Sequence, residues 1–521
     1  MLFKNSPRTA SQILIFTLLL SASLLLVTCW PFNFGQNISG HIFESDGKTT
    51  IEGALISLRA SDIQTRSDQN GFYKLRFPDT TDNPEITAWA PGYYIASYHP
   101  EGENSEHDFT LRVLPDDNPS YTWIDPSPGT SEDACANCHP MIYPQWASNA
   151  HGGAIGNERF YSFYNGTDTI GNPTMLSGYL VDFPATDGNC ATCHAPGAAI
   201  DEPFSTNMNE IRGDEISGIH CDFCHKADEI YINPADLQTY DNVPGVLGMG
   251  LLRPPKGDQI FIGPYPDIHD PDTYNPTMSE SEFCATCHQF SFWGTEIYNS
   301  YGEWLASSYA ENGVTCQDCH MPPSGDAYFA LPDQGGLAHP PDDIPSHFQL
   351  GLKDVEFMKT TLEMAIESDI HQDQLTLEIT ITNTSAGHHA PTDFPGRHLI
   401  LIVEAMDPEG ASLELLSGPH IPDWAGDLDG NPGKVYAKVL EDALTGQYPV
   451  VNYWNPTLIH SDNRIPANQT QKEVFTFQMR GESAEVNVQI LFRRLFQPIA
   501  EDYGWDLDEI ILAEDTLFIE P

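Results

Sequence analysis

From about residue 372 to the C-terminus, apolar and polar positions alternate with the two-residue period of a half-buried strand. Leu375, Leu377, Ile379 and Ile381 interleave with Thr376, Glu378, Thr380 and Thr382. Leu399–Val403 is continuously apolar, as expected of a strand covered on both faces. Val486, Val488, Ile490 and Phe492 alternate again. This pattern predicts a C-terminal β-sandwich over 372–521. Residues 36–114 show shorter alternating runs, split by the turn signals Ser45-Asp46-Gly47 and Asp68-Gln69-Asn70-Gly71, and predict a smaller β-sandwich. Between these blocks the periodicity fades. Residues 115–134 are rich in Pro, Asp and Ser and read as a linker. Residues 135–350 are rich in Pro, Gly and Tyr, with short helical stretches such as Ser279–His288 and Ser300–Ala310.

One motif recurs five times in that aperiodic segment: CANCH at Cys135–His139, CATCH at Cys190–His194, CDFCH at Cys221–His225, CATCH at Cys284–His288 and CQDCH at Cys316–His320. C-x-x-C-H is the attachment signature of c-type haem. The thiols of Cys135 and Cys138, Cys190 and Cys193, Cys221 and Cys224, Cys284 and Cys287, and Cys316 and Cys319 are spaced to add across two vinyl groups of one porphyrin. The adjacent His139, His194, His225, His288 or His320 then becomes the proximal iron ligand. C-x-x-C also builds zinc and thioredoxin-like sites, but neither requires a histidine after every pair. The chain has eleven cysteines, and ten are used this way. None remains for a structural disulfide, since Cys29 lies in the N-terminal apolar segment. Five covalent haems are expected. A core made partly of porphyrin accounts for the weak periodicity, so 135–350 reads as a haem-packed, mostly α and irregular domain.

Five irons with two imidazoles each need five more histidines. The haem segment holds five: His151, His220, His269, His339 and His347. His220 directly precedes Cys221, too close to ligate its own haem but able to reach a neighbour. His388 and His389 compete from a loop between two C-terminal strands, where Arg397 could meet a propionate. No residue is singled out as catalytic. Asp427-Leu428-Asp429-Gly430-Asn431 has part of a calcium-loop spacing but lacks the later Glu, and reads as an acidic turn.

GIHCDFCHK, SEFCATCHQF, NGVTCQDCHMP, WASNAH and GHHAPTDFPGRHL followed by SDNRIP resemble bacterial and archaeal multihaem cytochromes c related to the tetrahaem cytochrome of ammonia oxidisers and, more distantly, to pentahaem nitrite reductase. The resemblance spans about 130–521. It implies that the Trp146–His151 segment and the Gly-His-x-x-Pro-Thr type loop supply distal ligands, which favours His151, His347 and His388. Asp393 departs from it, standing where Gly is usual. Pentahaem nitrite reductases carry one C-x-x-C-Lys haem with an open position. All five motifs here end in His, so an electron carrier is expected more than a catalytic oxidoreductase. Two alternatives stay open: one open haem acting on nitrite, hydroxylamine or a sulfur oxyanion, and a subunit of an extracellular cytochrome filament that self-assembles. Residues 36–114 resemble a carboxypeptidase regulatory-like (transthyretin-like) domain in Gly53-Ala54, Asp68–Tyr73 and Pro91-Gly92-Tyr93, which implies a spacer or adhesion module.

Charge narrows the partners. Acidic residues outnumber basic ones 74 to 23, giving a formal charge of -51. Such a chain should avoid nucleic acid and anionic membranes, and its field suits a basic redox protein. Basic residues near the motifs are few: Lys226, Arg253 and Lys256. At the N-terminus, Lys4 and Arg8 precede an apolar run, Ile13–Val27, of export-signal type. Leu26-Val27-Thr28-Cys29 resembles a lipobox, so residues 1–29 are expected to end in a lipidated Cys29, an ordinary cleavage site or an uncleaved anchor. Each outcome places the rest on the periplasmic side, at the outer membrane surface or outside the cell.

Overall fold

The computed structural model describes residues 35–520, apart from 80, 82, 103, 241, 242, 269 and 270. The expected export segment and His269 therefore lie outside the described residues. The chain forms two units that meet in sequence at Val113 and Leu114. Among the described residues no helix is long and apolar enough to cross a membrane.

In the first unit, one sheet orders Phe72–Phe77, Gln36–Phe43 and Asn104–Glu106, with Phe109–Thr110 also on Gln36–Phe43. The other orders Gln64–Arg66, Leu55–Leu58, Ile86–Trp89 and Ala96–Tyr98. Ile38, Ile42, Leu75 and Phe77 from the first sheet share a core with Ile56, Leu58, Ile86 and Ala88 from the second. The expected turn at 68–71 forms: Asp68 accepts the amides of Asn70 and Phe72 at 2.8 and 2.9 Å. Gly71 takes φ +75°, the left-handed region a side chain disfavours.

The β-rich part of the second unit also has two sheets. One orders Leu362–His371, Gln374–Asn383, Thr470–Gln478 and Glu414–Ser417. The other orders Thr457–Asp462, Gly433–Asp442, His398–Met406, Ala484–Arg493 and Ile510–Ile519. Leu375, Leu377, Ile379 and Ile381 point into a core with Leu399, Leu401, Val403, Val486, Val488 and Ile490. Ile400 and Ile402 face the opposite way, into a second cluster with Ile421 and Val435. That double burial is why Leu399–Val403 is apolar without a break. The first strand, Leu362–His371, begins before residue 372. It pairs along its whole length with Gln374–Asn383 but stays largely exposed, so its pattern is weak.

Between Leu114 and Leu362 the chain is a string of short helices and loops held by buried polar links. The Lys226 ammonium lies 2.5 Å from Asp222, both side chains fully buried. Asp222 also accepts the Tyr121 hydroxyl at 2.8 Å and the Ile124 amide at 2.9 Å. Arg253 bridges Asp117 at 2.7 Å and Asp201 at 3.2 Å, and the Trp123 indole donates to Gly197 O at 2.8 Å. These links sew the Pro/Asp/Ser-rich stretch onto the second unit. They also occupy two of the three cations near the motifs. The expected acidic turn at 427–431 is tied to a neighbouring strand: Asp427 binds Arg493 at 2.8 Å.

Lys226→Ala should leave Asp222 buried without its counter-charge and cost about 3–5 kcal/mol. Chemical denaturation followed by far-UV circular dichroism measures this, and a loss under 1 kcal/mol would contradict the buried pair.

Candidate functional site

Each Cys-x-x-Cys-His stretch lies on a short helical turn: Cys135–Cys138, Ala191–His194, Cys221–Cys224, Glu282–His288 and Cys316–His320. In the second, third and fourth motifs the two intervening residues pack inward, Ala191 and Thr192, Asp222 and Phe223, Ala285 and Thr286. All ten motif thiols are half-buried and none forms a disulfide. The Cys316 turn starts with a capping box between Thr315 and Asp318.

Four motif imidazoles are oriented through Nδ1. His139 donates to Phe329 O at 2.9 Å, His225 to Ile262 O at 2.7 Å and His320 to Leu350 O at 2.5 Å. His288 donates to a carboxylate, Asp393 Oδ2, at 3.3 Å. A carbonyl or carboxylate can only accept, so Nδ1 carries a hydrogen, and in the neutral ring Nε2 then keeps the lone pair a metal ligand requires. Burial lowers the pKa of His288 but Asp393 raises it, to about 9, so that ring must lose its Nε2 proton to offer the lone pair. His194 is held differently, stacked on Phe160 with ring centres 4.3 Å apart. Burial drives His151, His194, His320 and His347 down to about 4, so these are neutral imidazoles at neutral pH.

Among the described residues, three motif rings each face a second imidazole. His225 and His347 lie 6.5 Å apart at 23°, His320 and His388 6.3 Å apart at 15°, and His288 and His151 6.3 Å apart at 64°. A metal held on both sides by nitrogens about 2.0–2.1 Å away, each about 1.1 Å from its ring centre, sets the centres about 6.3 Å apart. The residues present therefore fit a haem iron between each pair. Second contacts orient the facing rings: His151 Nδ1 lies 2.9 Å from Gln349 Oε1, and His388 Nδ1 2.9 Å from His389 O. His151 sits in the turn after the helix Tyr143–Ser148.

The other candidates are placed differently. His220 caps the Cys221–Cys224 turn, its Nδ1 accepting the Phe223 amide at 3.3 Å. That use puts the ring hydrogen on Nε2, the opposite tautomer. His339 packs on Phe329 at 4.6 Å, beside the His139 site. His389 lies 3.5 Å from Glu303, whose carboxylate is paired with Arg464 at 2.7 Å. Arg397 donates to Thr392 O at 3.1 Å, bracing its own loop. Tyr298 lies within electrostatic reach of Cys193 and Tyr453 of Cys190 and Cys193, and burial pushes both phenols up, Tyr298 to about 12.

Thiols from different motifs are neighbours: Cys135 with Cys221, Cys193 with Cys287, and Cys284 with Cys316. Cys224 is also within electrostatic reach of Cys287. On haem attachment these sulfurs become thioethers. The Cys284–His288 motif is thus the junction, adjoining the motifs at Cys190, Cys221 and Cys316. Sequence reasoning missed two residues here. Gln349 carried no signal, and Asp393 signalled only by replacing a usual Gly.

The model of the cytochrome c554 and c-prime family matches residues 134–226. A solved penta-heme cytochrome c552 from Thermochromatium tepidum aligns over 74% of this chain and 97% of its own, with a TM-score of 0.55 and 20% identity. The fold is that of a multihaem cytochrome c. A type II cohesin–X-dockerin complex from Acetivibrio cellulolyticus also matches, at 14% identity over 15% of this chain and 59% of that one, but its TM-score of 0.14 carries no argument. No curated protein matches the sequence.

His220→Ala should remove a helix cap and cost about 1–2 kcal/mol, while the low-spin haem content of this cytochrome fold, read from visible spectra, stays unchanged. Loss of low-spin iron would mean that His220 is a ligand.

Proposed function

We propose that this is an exported electron carrier with five covalent haems c, one on each Cys-x-x-Cys-His motif, relaying electrons in extracytoplasmic respiration. The observation that carries the reading is the three facing imidazole pairs at 6.3–6.5 Å. An iron capped on both sides by imidazole has no coordination position for substrate. The proposed axial pairs are His225 with His347, His320 with His388 and His288 with His151. When bound, haem supplies a reversible one-electron couple. The chain's own part is to fix the Nε2 of His139, His225, His288 and His320 through their Nδ1 contacts and to hold neighbouring motifs together. The T. tepidum structure, described as penta-heme, supports the count.

The formal charge of -51 suits a basic redox protein as partner, with encounter that weakens as salt rises. The first unit, with its two facing sheets, serves as a spacer or adhesion module of the carboxypeptidase regulatory-like kind. Its place at the membrane or outside it is set by the N-terminal segment and Cys29.

A second reading, an oxidoreductase with one open iron, has a specific location. At the Cys190–His194 motif the Tyr453 phenol is within electrostatic reach of both thiols and the Tyr298 phenol within reach of Cys193, and phenols can donate to a small oxygen-bearing substrate. Low-temperature EPR of the oxidised protein separates the readings: wholly low-spin iron supports the carrier, and a high-spin signal that shifts with nitrite or hydroxylamine supports the enzyme.

Two further outcomes are expected. Pyridine haemochrome should give five haems per chain, and fewer than four would reject the count. His388→Ala and His347→Ala should each turn one iron high-spin and leave the total haem unchanged. A variant that stays fully low-spin removes that histidine from the ligand set.

A further inference from the structure

Three motif imidazoles donate Nδ1–H to neutral backbone carbonyls: His139, His225 and His320. His288 instead donates to the carboxylate of Asp393 at 3.3 Å. Asp393 is buried, 6% exposed, and also accepts from Ser300 through its amide at 3.1 Å and its hydroxyl at 3.2 Å. Three donated hydrogen bonds favour the charged form of a carboxylate. The backbone here takes φ +60°. Glycine would take that conformation freely, whereas a side chain with a Cβ is disfavoured in it. The chain therefore accepts a buried charge to place one carboxylate against one imidazole, on a backbone conformation that Asp and Asn tolerate. That imidazole belongs to the junction motif, whose thiols adjoin those at Cys193 and Cys316 and lie near Cys224.

We propose that Asp393 is a positioning residue that lowers the reduction potential of the junction haem, the one held by Cys284 and Cys287 between His288 and His151, below those of the other imidazole-pair haems. This rests on the haem-relay reading above. A full negative charge on Nδ1–H draws the hydrogen away from the ring and makes Nε2 a stronger donor. A stronger axial donor and a nearby anion both stabilise ferric over ferrous iron. No bond to the porphyrin changes. The consequence is a low-potential centre where three routes meet, so electrons pass through it towards its neighbours and do not rest there.

The junction haem can be followed by itself. Its imidazole planes cross at 64°, against 23° and 15° in the other pairs. Near-perpendicular planes give an axial low-spin EPR signal, distinct from the rhombic signal of near-parallel planes. An EPR-monitored redox titration of the full-length protein should find that axial signal titrating lowest of the three imidazole-pair haems. Asp393→Asn keeps the shape, tolerates φ +60° and removes the charge. It should favour reduction of that haem about tenfold, raising its potential about 59 mV, with the other signals unmoved. A change below twofold, about 18 mV, overturns the proposal, as does an equal shift of all signals. If Asp393→Asn does not accumulate, the wild-type order decides: an axial signal that does not titrate lowest rejects the role. Protein without haem absorbance would instead reject the relay reading beneath it.

Discussion

The arrangement depends on what each motif imidazole does with Nδ1. A histidine that follows a Cys-x-x-Cys turn can rotate and can protonate either nitrogen. A carbonyl at Nδ1 removes both freedoms together, fixing the ring plane and leaving the lone pair on Nε2. The carbonyls come from far along the chain: Phe329 for His139, Ile262 for His225, Leu350 for His320. A site made of five residues in sequence thus becomes defined only when distant loops close over it. The same closure delivers the facing rings, since Leu350 lies just past His347 and Gln349.

The segment that carries the motifs packs an apolar cluster around Ile155, Tyr161, Tyr164, Met208 and Phe223, and buried polar links tie its loops to that cluster. Buried charges are stable only when paired and hydrogen-bonded. Asp222 meets that condition with three partners, Lys226, Tyr121 and Ile124. Glu303 meets it with Arg464, the His389 amide and the Thr392 hydroxyl. The first network ties the entry stretch to the third motif. The second ties the helix Ser300–Leu305 to the C-terminal sheets. Local basic residues are consumed in this way, which leaves the strongly acidic surface to set the long-range field.

Strands buried on at least one face were readable in the sequence, because burial writes itself as a two-residue period. Leu375–Ile381 and Val486–Phe492 fall where the alternation put them. Leu362–His371 escaped because its side chains face solvent along much of its length. The motif positions were legible from covalent chemistry alone. Facing histidines were legible only through the family resemblance, which favoured His151, His347 and His388, the three that stand against motif rings; a lone His by itself carries no record of what stands opposite. His220 shows the difficulty: its place beside Cys221 suits a ligand, yet the same closeness suits a helix cap, and its Nδ1 is taken by the Phe223 amide while its Nε2 is buried without a hydrogen-bond partner among the described residues. The stretch 115–134 has a linker's composition, yet Asp117, Tyr121 and Trp123 each find a buried partner. Composition records solubility, not the partners a side chain meets.

The loop between the strands Gln374–Asn383 and His398–Met406 brings these threads together. Its His388 faces His320, and five residues on its Asp393 reaches His288. Two adjoining motifs are therefore set by one loop, which is braced by Arg397 on Thr392 O and by Glu303 on the amide of His389. On the proposed haem relay, a loop braced in this way would couple axial coordination at one centre to the electrostatics of the next. The β-sheets matter to the redox chemistry for that reason: they hold the loop ends, and the loop holds two neighbouring imidazoles in register with each other.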